Sequence, residues 1–445
     1  MVLRRKHFAI LFVLISLIII FIVTHSQLSS ESISTIDSIY ISDKDYLRIS
    51  ASPNLTNVPL STDIYFGDEK LLYDSEANTF YYSLIQDDAT AYTPVVEVGE
   101  PSIVVVLYGD MISDESIANN SHIKLILMSG NNVSISDLIC TSLPIMNITI
   151  DQAVVSGMGL DETYDILTDA ASSIYVYDNR SDFDGRSRSI TSDAKIHRRG
   201  QTNSVFPSKS YRITLLEDKN NLDGNKNKEN ILGLRNDDDW ILYSPYKDYE
   251  KIRNVFSMNL WYDSFAKDNE WSVTNATEYR YIELFMNNHY HGLYAICYPI
   301  DKKQVSLQDG ETLFKKLDWT HSERDTSLTI QENGDAILPG YEIKSGDISG
   351  YNDLLSLYVN MTYSTDGNVV RLSSDMENAI DLWLYYKVSL AVDNVAAGGA
   401  KNMFVSTKNS ESGIEGKKLL ISPWDMDQSW RWVAEGSSGL YSYPM

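Results

Sequence analysis

Short apolar runs broken by polar turns recur through residues 28–150, for example TFYYSLIQ and PSIVVVLYG. Turn signals spaced about 8–12 residues apart are typical of the strands of a β-sandwich. No cluster of chemically reactive side chains accompanies these runs. We therefore predict that this stretch is a β-rich, sandwich-like accessory region of one or two domains that serves adhesion or spacing.

Residues 151–445 combine helix and strand patterns, which predicts an α+β domain. DYEKIRNVFSMNLWYDSFAKD and MENAIDLWLYYKVSLAV carry apolar residues at a spacing of about 3.6, the period of a helix. The apolar residues expected to face the core are Ile252, Val255, Phe256, Leu260 and Phe265 in the first helix, and Ile380, Trp383, Leu384, Val388 and Ala391 in the second. YRYIELFMNNHYHGLYAI predicts a β-hairpin. We interpret the polar residues 301–350 as an insertion or a lid.

The N-terminus has the pattern of an export segment. Arg4, Arg5 and Lys6 precede an unbroken apolar run from Phe8 to Val23. A basic flank followed by such a run indicates a signal peptide or a signal anchor within residues 1–27. Either one places the body of the protein outside the cytoplasm, because the basic end stays inside.

Composition limits the classes of partner. The 445 residues carry a formal net charge of -24. Binding to the phosphate backbone of a nucleic acid needs a positive face, so we expect no nucleic-acid partner. The two cysteines, Cys140 and Cys297, form either a disulfide or two separate buried thiols.

A basic run stands out against this acidic background. Lys195, Arg198, Arg199, Lys209 and Arg212 follow one another with no Asp or Glu from Lys195 to Arg212. Gly200 allows the backbone to approach a ligand closely. A lysine on a strand beside a glycine-containing loop is one way to bind the phosphates of a nucleotide. The alternative is a solvated basic strand whose charges pair with acidic neighbours.

Two further groups of polar residues follow the second predicted helix. The first is Asp393 with Asn394, and then Lys401 with Asn402. A carboxylate at a helix exit can accept a proton or hold a metal, and an Asn oxygen suits Mg²⁺. The alternative is a helix C-cap followed by a turn.

The second group is the pair Asp425 and Asp427 inside the apolar run ISPWDMDQSW. Residues two apart on a strand point the same way, so one cation could contact both carboxylates. A hard divalent cation would neutralise them in this apolar setting. The alternative is an exposed edge with the tryptophans packed beneath it.

These motifs and their order resemble the spore-coat CotH kinase family, a family of atypical protein kinases. The resemblance rests on RRGQTNSVFPSKSYRI, NDDDWILYSPYKDYEKIRNVF, YIELFMNNHYHGLYAI, VDN followed by KNMFV, and PWDMD. It implies an atypical protein-kinase-like domain over residues 151–445 that uses ATP and Mg²⁺ and phosphorylates Ser or Thr. It also implies that the family's fold continues with helices beyond Met445.

The resemblance assigns roles residue by residue. Lys209 corresponds to the phosphate-contacting lysine, and Asp393 to the catalytic aspartate. Asn402 and Asp425 correspond to metal ligands, with Asp427 as a second carboxylate ligand. The implied ATP-binding residues are Arg199, Gly200 and Lys209.

The sequence therefore predicts an exported or membrane-anchored protein kinase. Its partner would be a Ser- or Thr-bearing coat or surface protein, and its N-terminal segment would contact the membrane. The alternative from another functional class is a catalytically inactive surface or coat protein that acts as an adhesion or scaffold module.

Overall fold

The computed structural model describes part of the chain in detail. The described residues are 38–56, 60, 62–84, 93–118, 121–151, 154–155, 164–180, 187–200, 205–319, 329–331, 334–396 and 399–430. The predicted signal peptide or anchor, residues 1–27, lies outside them. Within these ranges no helix is both long and apolar enough to cross a bilayer.

Backbone contacts divide the chain into two compact units. The first contains the described residues up to Thr141 except Ser83 and Leu84, and the second contains those two residues and the described residues from Ser142 onward. Cys140 belongs to the first unit and Cys297 to the second, and both are free thiols.

The first unit is rich in strands, as the sequence predicts. Its strands are β1 (Leu55–Thr56), β2 (Ile64–Phe66), β3 (Glu69–Lys70), β4 (Leu72–Asp74), β5 (Thr79–Ser83), β6 (Val96–Val98), β7 (Val104–Gly109), β8 (Ile123–Ser129) and β9 (Asn132–Thr141), and its helices are α1 (Asp43–Ser50) and α2 (Asp114–Ala118). One sheet has the order β4-β5-β9-β8-β7 with β1 beside β9, and a second has the order β3-β2-β6. Ile49 of α1 packs on Val106 and Ile126 of the larger sheet.

The second unit mixes strands and helices. Its strands are β10 (Ile145–Ile150), β11 (Ala170–Tyr177), β12 (Ser189–Arg199), β13 (Ser210–Leu216), β14 (Asp239–Tyr243), β15 (Tyr279–Met286), β16 (His289–Cys297), β17 (Thr312–Lys316), β18 (Thr329–Ile330), β19 (Ala336–Ile337), β20 (Tyr341–Ser345), β21 (Val395–Ala396), β22 (Gly399–Ala400), β23 (Met403–Ile414) and β24 (Lys417–Pro423). Its helices are α3 (Arg253–Ser264), α4 (Gly350–Tyr363), α5 (Gly367–Ser373) and α6 (Met376–Ser389), and a short 3-10 helix spans Ile231–Gly233. The predicted α+β class is confirmed.

Seven strands of this unit form a closed barrel in the order β10-β11-β12-β13-β14-β16-β15, with β10 parallel to β15. Alternate residues of each strand point inward, because successive side chains of a strand face opposite sides. Ile196, Ile213 and Trp240 lie in the inner core. β10, whose sequence falls in the stretch 28–150, pairs within this barrel.

The outer face of the barrel packs against the rest of the second unit. Ile241 and Tyr243 of β14 share a second core with Trp261 of α3, Leu382 of α6 and Trp424. This second core includes Trp424 and Met426, the residues on either side of Asp425.

The predicted hairpin is confirmed as β15 and β16. Asn287 and Asn288 connect the strands with φ values of 52° and 67°. Two successive positive φ angles are the signature of a tight two-residue hairpin turn, and Asn tolerates them better than most residues.

The interpretation of residues 301–350 as an insertion or lid is wrong for two segments. β17 and β20 belong to a four-stranded sheet of order β20-β17-β23-β24. β17 is central in that sheet, pairing with β20 on one side and with β23 on the other. ETLFKK is a buried strand despite its polar residues. Glu311 and Thr312 are buried because they bind Lys408 and Thr407 of β23.

Both predicted helices form, but the predicted core face of α6 is wrong except for Ala391, which is buried just after the helix. Ile380, Trp383, Leu384 and Val388 are 47% to 71% exposed. The opposite face, with Leu382, Tyr385 and Tyr386, is buried instead. In α3, Val255 is buried as predicted, whereas Ile252 at its N-cap and Phe256 are 53% and 50% exposed.

The physical reason is that polar side chains of α6 bind backbone groups of neighbouring segments. The Asn378 amide donates to the carbonyl of Ile421 and accepts from its N–H, at 3.0 and 2.9 Å. The Tyr385 hydroxyl donates to the Ser257 carbonyl at 2.6 Å. These hydrogen bonds turn the polar face of α6 toward the core. The spacing of apolar residues along a helix contains no information about such bonds.

Candidate active site

The pair Asp425 and Asp427 lies in a turn that directly follows β24. Asp425 has a φ of 55°, so the premise that both carboxylates project from one face of a strand is wrong. The Met426 N–H donates to the Asn254 Oδ1 at 2.8 Å, and the Met426 side chain is buried. The buried Trp424 and Met426 anchor the turn, and this explains the apolar residues around the two charges.

Two strand registers bring Asp393 and Asn402 next to this turn. In the β21–β22 hairpin Val395 pairs with Ala400, which places Asp393 opposite Asn402. In the β23–β24 pair Met403 faces Pro423, so Asn402 lies next to Trp424, whose N–H donates to the Asn402 carbonyl at 3.1 Å. The nine-residue interval from Asp393 to Asn402 thus contains a small hairpin.

Asn394 joins the segment of Asn402 to the segment of Trp424. It is fully buried, and its side-chain amide donates to the carbonyls of Asn402 and Trp424 at 3.1 and 2.8 Å. The C-cap of α6 is Leu390 in a left-handed conformation, so neither Asp393 nor Asn394 caps the helix.

Asp393 has a polar neighbour on each carboxylate oxygen. The Lys401 ammonium lies 2.7 Å from Oδ1, and the Asn402 amide donates to Oδ2 at 2.9 Å. The Asn402 amide nitrogen is therefore used, and its Oδ1 is the atom that could ligate a cation. Both contacts fix the orientation of the Asp393 carboxylate.

Burial and mutual repulsion dominate the electrostatics of Asp425 and Asp427. Burial raises the pKa of Asp425, and the negative charge of Asp393 raises it further. The pKa of Asp427 lies well above its usual range because of burial, followed by the charges of Asp425 and Asp393. Both carboxylates therefore favour a nearby cation.

Three cations act most strongly on Asp425: Lys315, Arg199 and Lys401. The Arg199 guanidinium carbon lies 5.7 Å from the centroid of the Trp424 ring. Burial and the charge of Arg199 lower the pKa of Lys315 to about 8. Sequence reasoning missed Lys315, and the signal that could have found it is the strand pattern of LFKK.

The basic run from Lys195 to Arg212 divides into two groups. Lys195, Arg198 and Arg212 form ion pairs with Asp169, Asp165 and Asp239. For these three the alternative of a paired basic strand holds. Arg199 differs, because no carboxylate of the described ranges lies within ion-pair distance of its guanidinium.

Gly200 and Lys209 flank the loop between β12 and β13. Gly200 is exposed and has a φ of 90°, a conformation that favours glycine. Lys209 is buried directly before β13, and its carbonyl accepts a hydrogen bond of 2.8 Å from the Tyr294 hydroxyl. Their assignment to ATP binding stays a prediction.

The oxygen donors of this site fit a hard divalent cation. In the described part of the chain no three His, Cys, Asp or Glu side chains converge as a complete ligand set. Mg²⁺ does not require one, because it usually takes one or two carboxylates together with water and substrate phosphates. Asp425, Asp427 and the Oδ1 of Asn402 meet that pattern.

Comparison with known proteins assigns the chain to a family. Residues 196–442, more than half of the chain, match the family model described as CotH kinase protein. The chain belongs to the CotH kinase family. A search of curated proteins gave no match.

Proposed function

We propose that the protein is an atypical protein kinase that transfers the γ-phosphate of ATP to Ser or Thr of a protein substrate and requires Mg²⁺. The observation that carries the proposal is the cluster of Asp393, Asn402 and Asp425 with Arg199 beside it. Membership of the CotH kinase family supports the same reaction class. In this proposal the second unit is the kinase-like domain, and the first is a sandwich-like accessory domain.

Each residue of the cluster has a distinct task. Asp393, held by Lys401 and Asn402, orients the acceptor hydroxyl and accepts its proton as the new O–P bond forms and the bond to the ADP oxygen breaks. Arg199 and Lys209 bind phosphate oxygens. Mg²⁺ held by Asp425, Asp427 and Asn402 would neutralise charge on the phosphates.

Location and partner follow from the same proposal. The N-terminal segment exports the chain or anchors it in the membrane, and the body lies outside the cytoplasm. The substrate is a Ser- or Thr-bearing protein of a spore coat or cell surface. A net charge of -24 leaves nucleic acid out of the proposal.

The direct test is phosphate transfer from γ-labelled ATP to the protein itself and to a Ser-rich peptide, with and without Mg²⁺. We expect Mg²⁺-dependent transfer by the parent protein. The matched control for site variants is Asp347→Ala, because Asp347 is an exposed aspartate outside the cluster. A parent protein that binds Mg²⁺-ATP but transfers no phosphate would contradict the proposed reaction.

One observation favours the second candidate, a catalytically inactive adhesion or scaffold protein. Both oxygens of Asp393 already have partners, Lys401 and Asn402. An aspartate so engaged can serve structure alone. The candidate predicts that Asp393→Ala lowers the melting temperature and that neither parent nor variant transfers phosphate.

A further inference from the structure

Lys315 lies on the central strand β17, on the side of the sheet that faces the carboxylates. Leu313, two residues earlier on the same side, packs in the core that contains Phe404, Trp424 and Met426. The neighbours of Lys315 along the strand, Phe314 and Lys316, point the other way. The Lys316 ammonium accordingly reaches the Asp318 carboxylate, at 3.7 Å, and the Tyr341 ring.

The strand also fixes the position of Lys315. Its backbone pairs with Glu342 of β20 and with Phe404 of β23. β23 begins directly after Asn402, and its other neighbour β24 leads into the turn of Asp425. Lys315 and two of the proposed metal ligands are therefore carried by one hydrogen-bonded sheet.

Four charged groups act most strongly on the Lys315 ammonium. Asp425 and Glu342 attract its ammonium, whereas Arg199 and Lys344 repel it. Among the described residues no hydrogen bond or ion pair involves the Lys315 ammonium, whereas Lys344 pairs with Glu342 at 2.7 Å and Lys401 pairs with Asp393 at 2.7 Å. A partly buried lysine beside an arginine, with no anionic partner in contact, has the character of an anion-binding group.

Resting on the kinase function proposed above, we propose that Lys315 and Arg199 together bind the phosphate chain of the nucleotide. An anion between the two side chains removes their mutual repulsion. The same anion is held near Asp425, where a divalent cation would bridge it. Lys315 is thus a binding residue in addition to those that the sequence assigns.

The test compares Lys315→Met with Lys344→Met in the full chain. Methionine keeps the aliphatic length and removes the charge, and Lys344 is a neighbouring lysine whose charge is already paired. We expect Lys315→Met to weaken binding of Mg²⁺-ATP and of magnesium tripolyphosphate at least tenfold. Lys344→Met should change either affinity less than twofold, and both variants should melt near the parent temperature.

A second measurement needs no variant and guards against misfolding. The parent protein is reductively methylated with and without Mg²⁺-ATP, and the modified lysines are located by mass spectrometry. We expect nucleotide to protect Lys315 and to leave Lys344 unchanged. If the parent binds Mg²⁺-ATP while Lys315→Met keeps full affinity and Lys315 is not protected, the inference is wrong and the kinase proposal stands. If the parent binds neither ligand, both are wrong.

Discussion

Two clusters of charged side chains in the second unit, one around the fully buried Asp237 and one around the partly buried Asp425, are built in opposite ways. In the first, the fully buried Asp237 accepts from Arg235, from Lys303 and from the N–H of Asp238. In the second, Asp393, Asp425 and Asp427 repel one another. Although burial alone would raise it, hydrogen bonds and charge from Lys303 and Arg235 lower the pKa of Asp237, whereas the pKa of Asp425 is raised.

The difference predicts that the first cluster serves structure and that the second serves a ligand. A carboxylate with a full set of donors contributes to folding and has no need of an external cation. Carboxylates that burial and repulsion hold in an unfavourable state are typical of binding and catalytic sites.

The paired cluster should control stability. Asp237→Asn removes the fully buried carboxylate that Arg235 and Lys303 share and leaves Asp301 as their common partner, and breaking a buried ion pair costs about 3 kcal/mol of unfolding free energy. The folded pKa of Asp237 is depressed below its ordinary 3.8, so its contribution is present above that pH and is lost as pH falls through the folded value. Denaturant unfolding of parent and variant at neutral and acid pH measures both effects. Binding of Mg²⁺-ATP should not change. A loss of nucleotide affinity in this variant would contradict the assignment of Asp237 to structure alone.

Asp393 should control transfer alone. Asp393→Ala removes the group proposed to orient the acceptor hydroxyl, so we expect phosphate transfer at least ~100 times slower, a usual size for an acid–base or positioning group. Affinity for Mg²⁺-ATP should stay near that of the parent. Radiolabel transfer and calorimetry separate the two quantities, with Asp347→Ala as the control. Intact transfer combined with a lower melting temperature would assign Asp393 to structure.

Asp425 should control nucleotide affinity. Asp425→Asn removes one charge from the proposed metal site, and the loss should exceed ~1.4 kcal/mol, which is tenfold in affinity for Mg²⁺-ATP. The fold should survive, because the substitution relieves repulsion by Asp393 and Asp427. If Asp425→Asn kept full affinity and Asp427→Asn lost it, Asp427 would be the main carboxylate ligand instead of Asp425. Full affinity in both variants would contradict the metal site.

The smallest effect concerns the basic strand. Lys209→Ala should weaken nucleotide affinity by about fivefold, the size of a ~1 kcal/mol charge contact. Arg212→Ala should change it less than twofold, because Arg212 is already paired with Asp239. Titration of both variants with Mg²⁺-ATP measures the two affinities. Equal losses of affinity in the two variants would indicate a diffuse basic surface and not a defined phosphate site.

Local features of the fold could be predicted from sequence, and long-range ones could not. The β15–β16 hairpin depends on residues close together in the sequence, with its turn at Asn287–Asn288, and the hairpin is predicted correctly. β17 was missed because its partner β23 lies about 90 residues further along the chain. The buried face of α6 was misassigned because Asn378 binds the distant backbone of Ile421.

The candidate site shows the same limit. Asp393, Asn402 and Asp425 were singled out from local patterns and from family resemblance. The left-handed backbone of Asp425 and the proximity of Lys315 were not, because both depend on how separate strands meet. Charge balance across strands is a tertiary property, and a linear pattern cannot express it.

The single amide of Asn394 has a mechanical consequence. It is bonded at once to the segment of Asn402 and to the segment of Trp424, and its own backbone is joined to Asp393. Asp393 and the turn of Asp425 are thereby linked through one side chain. We expect a change in the length of the β21–β22 hairpin to leave both bonds of Asn394 in place, because Asn394 and its two acceptor carbonyls lie outside the hairpin strands.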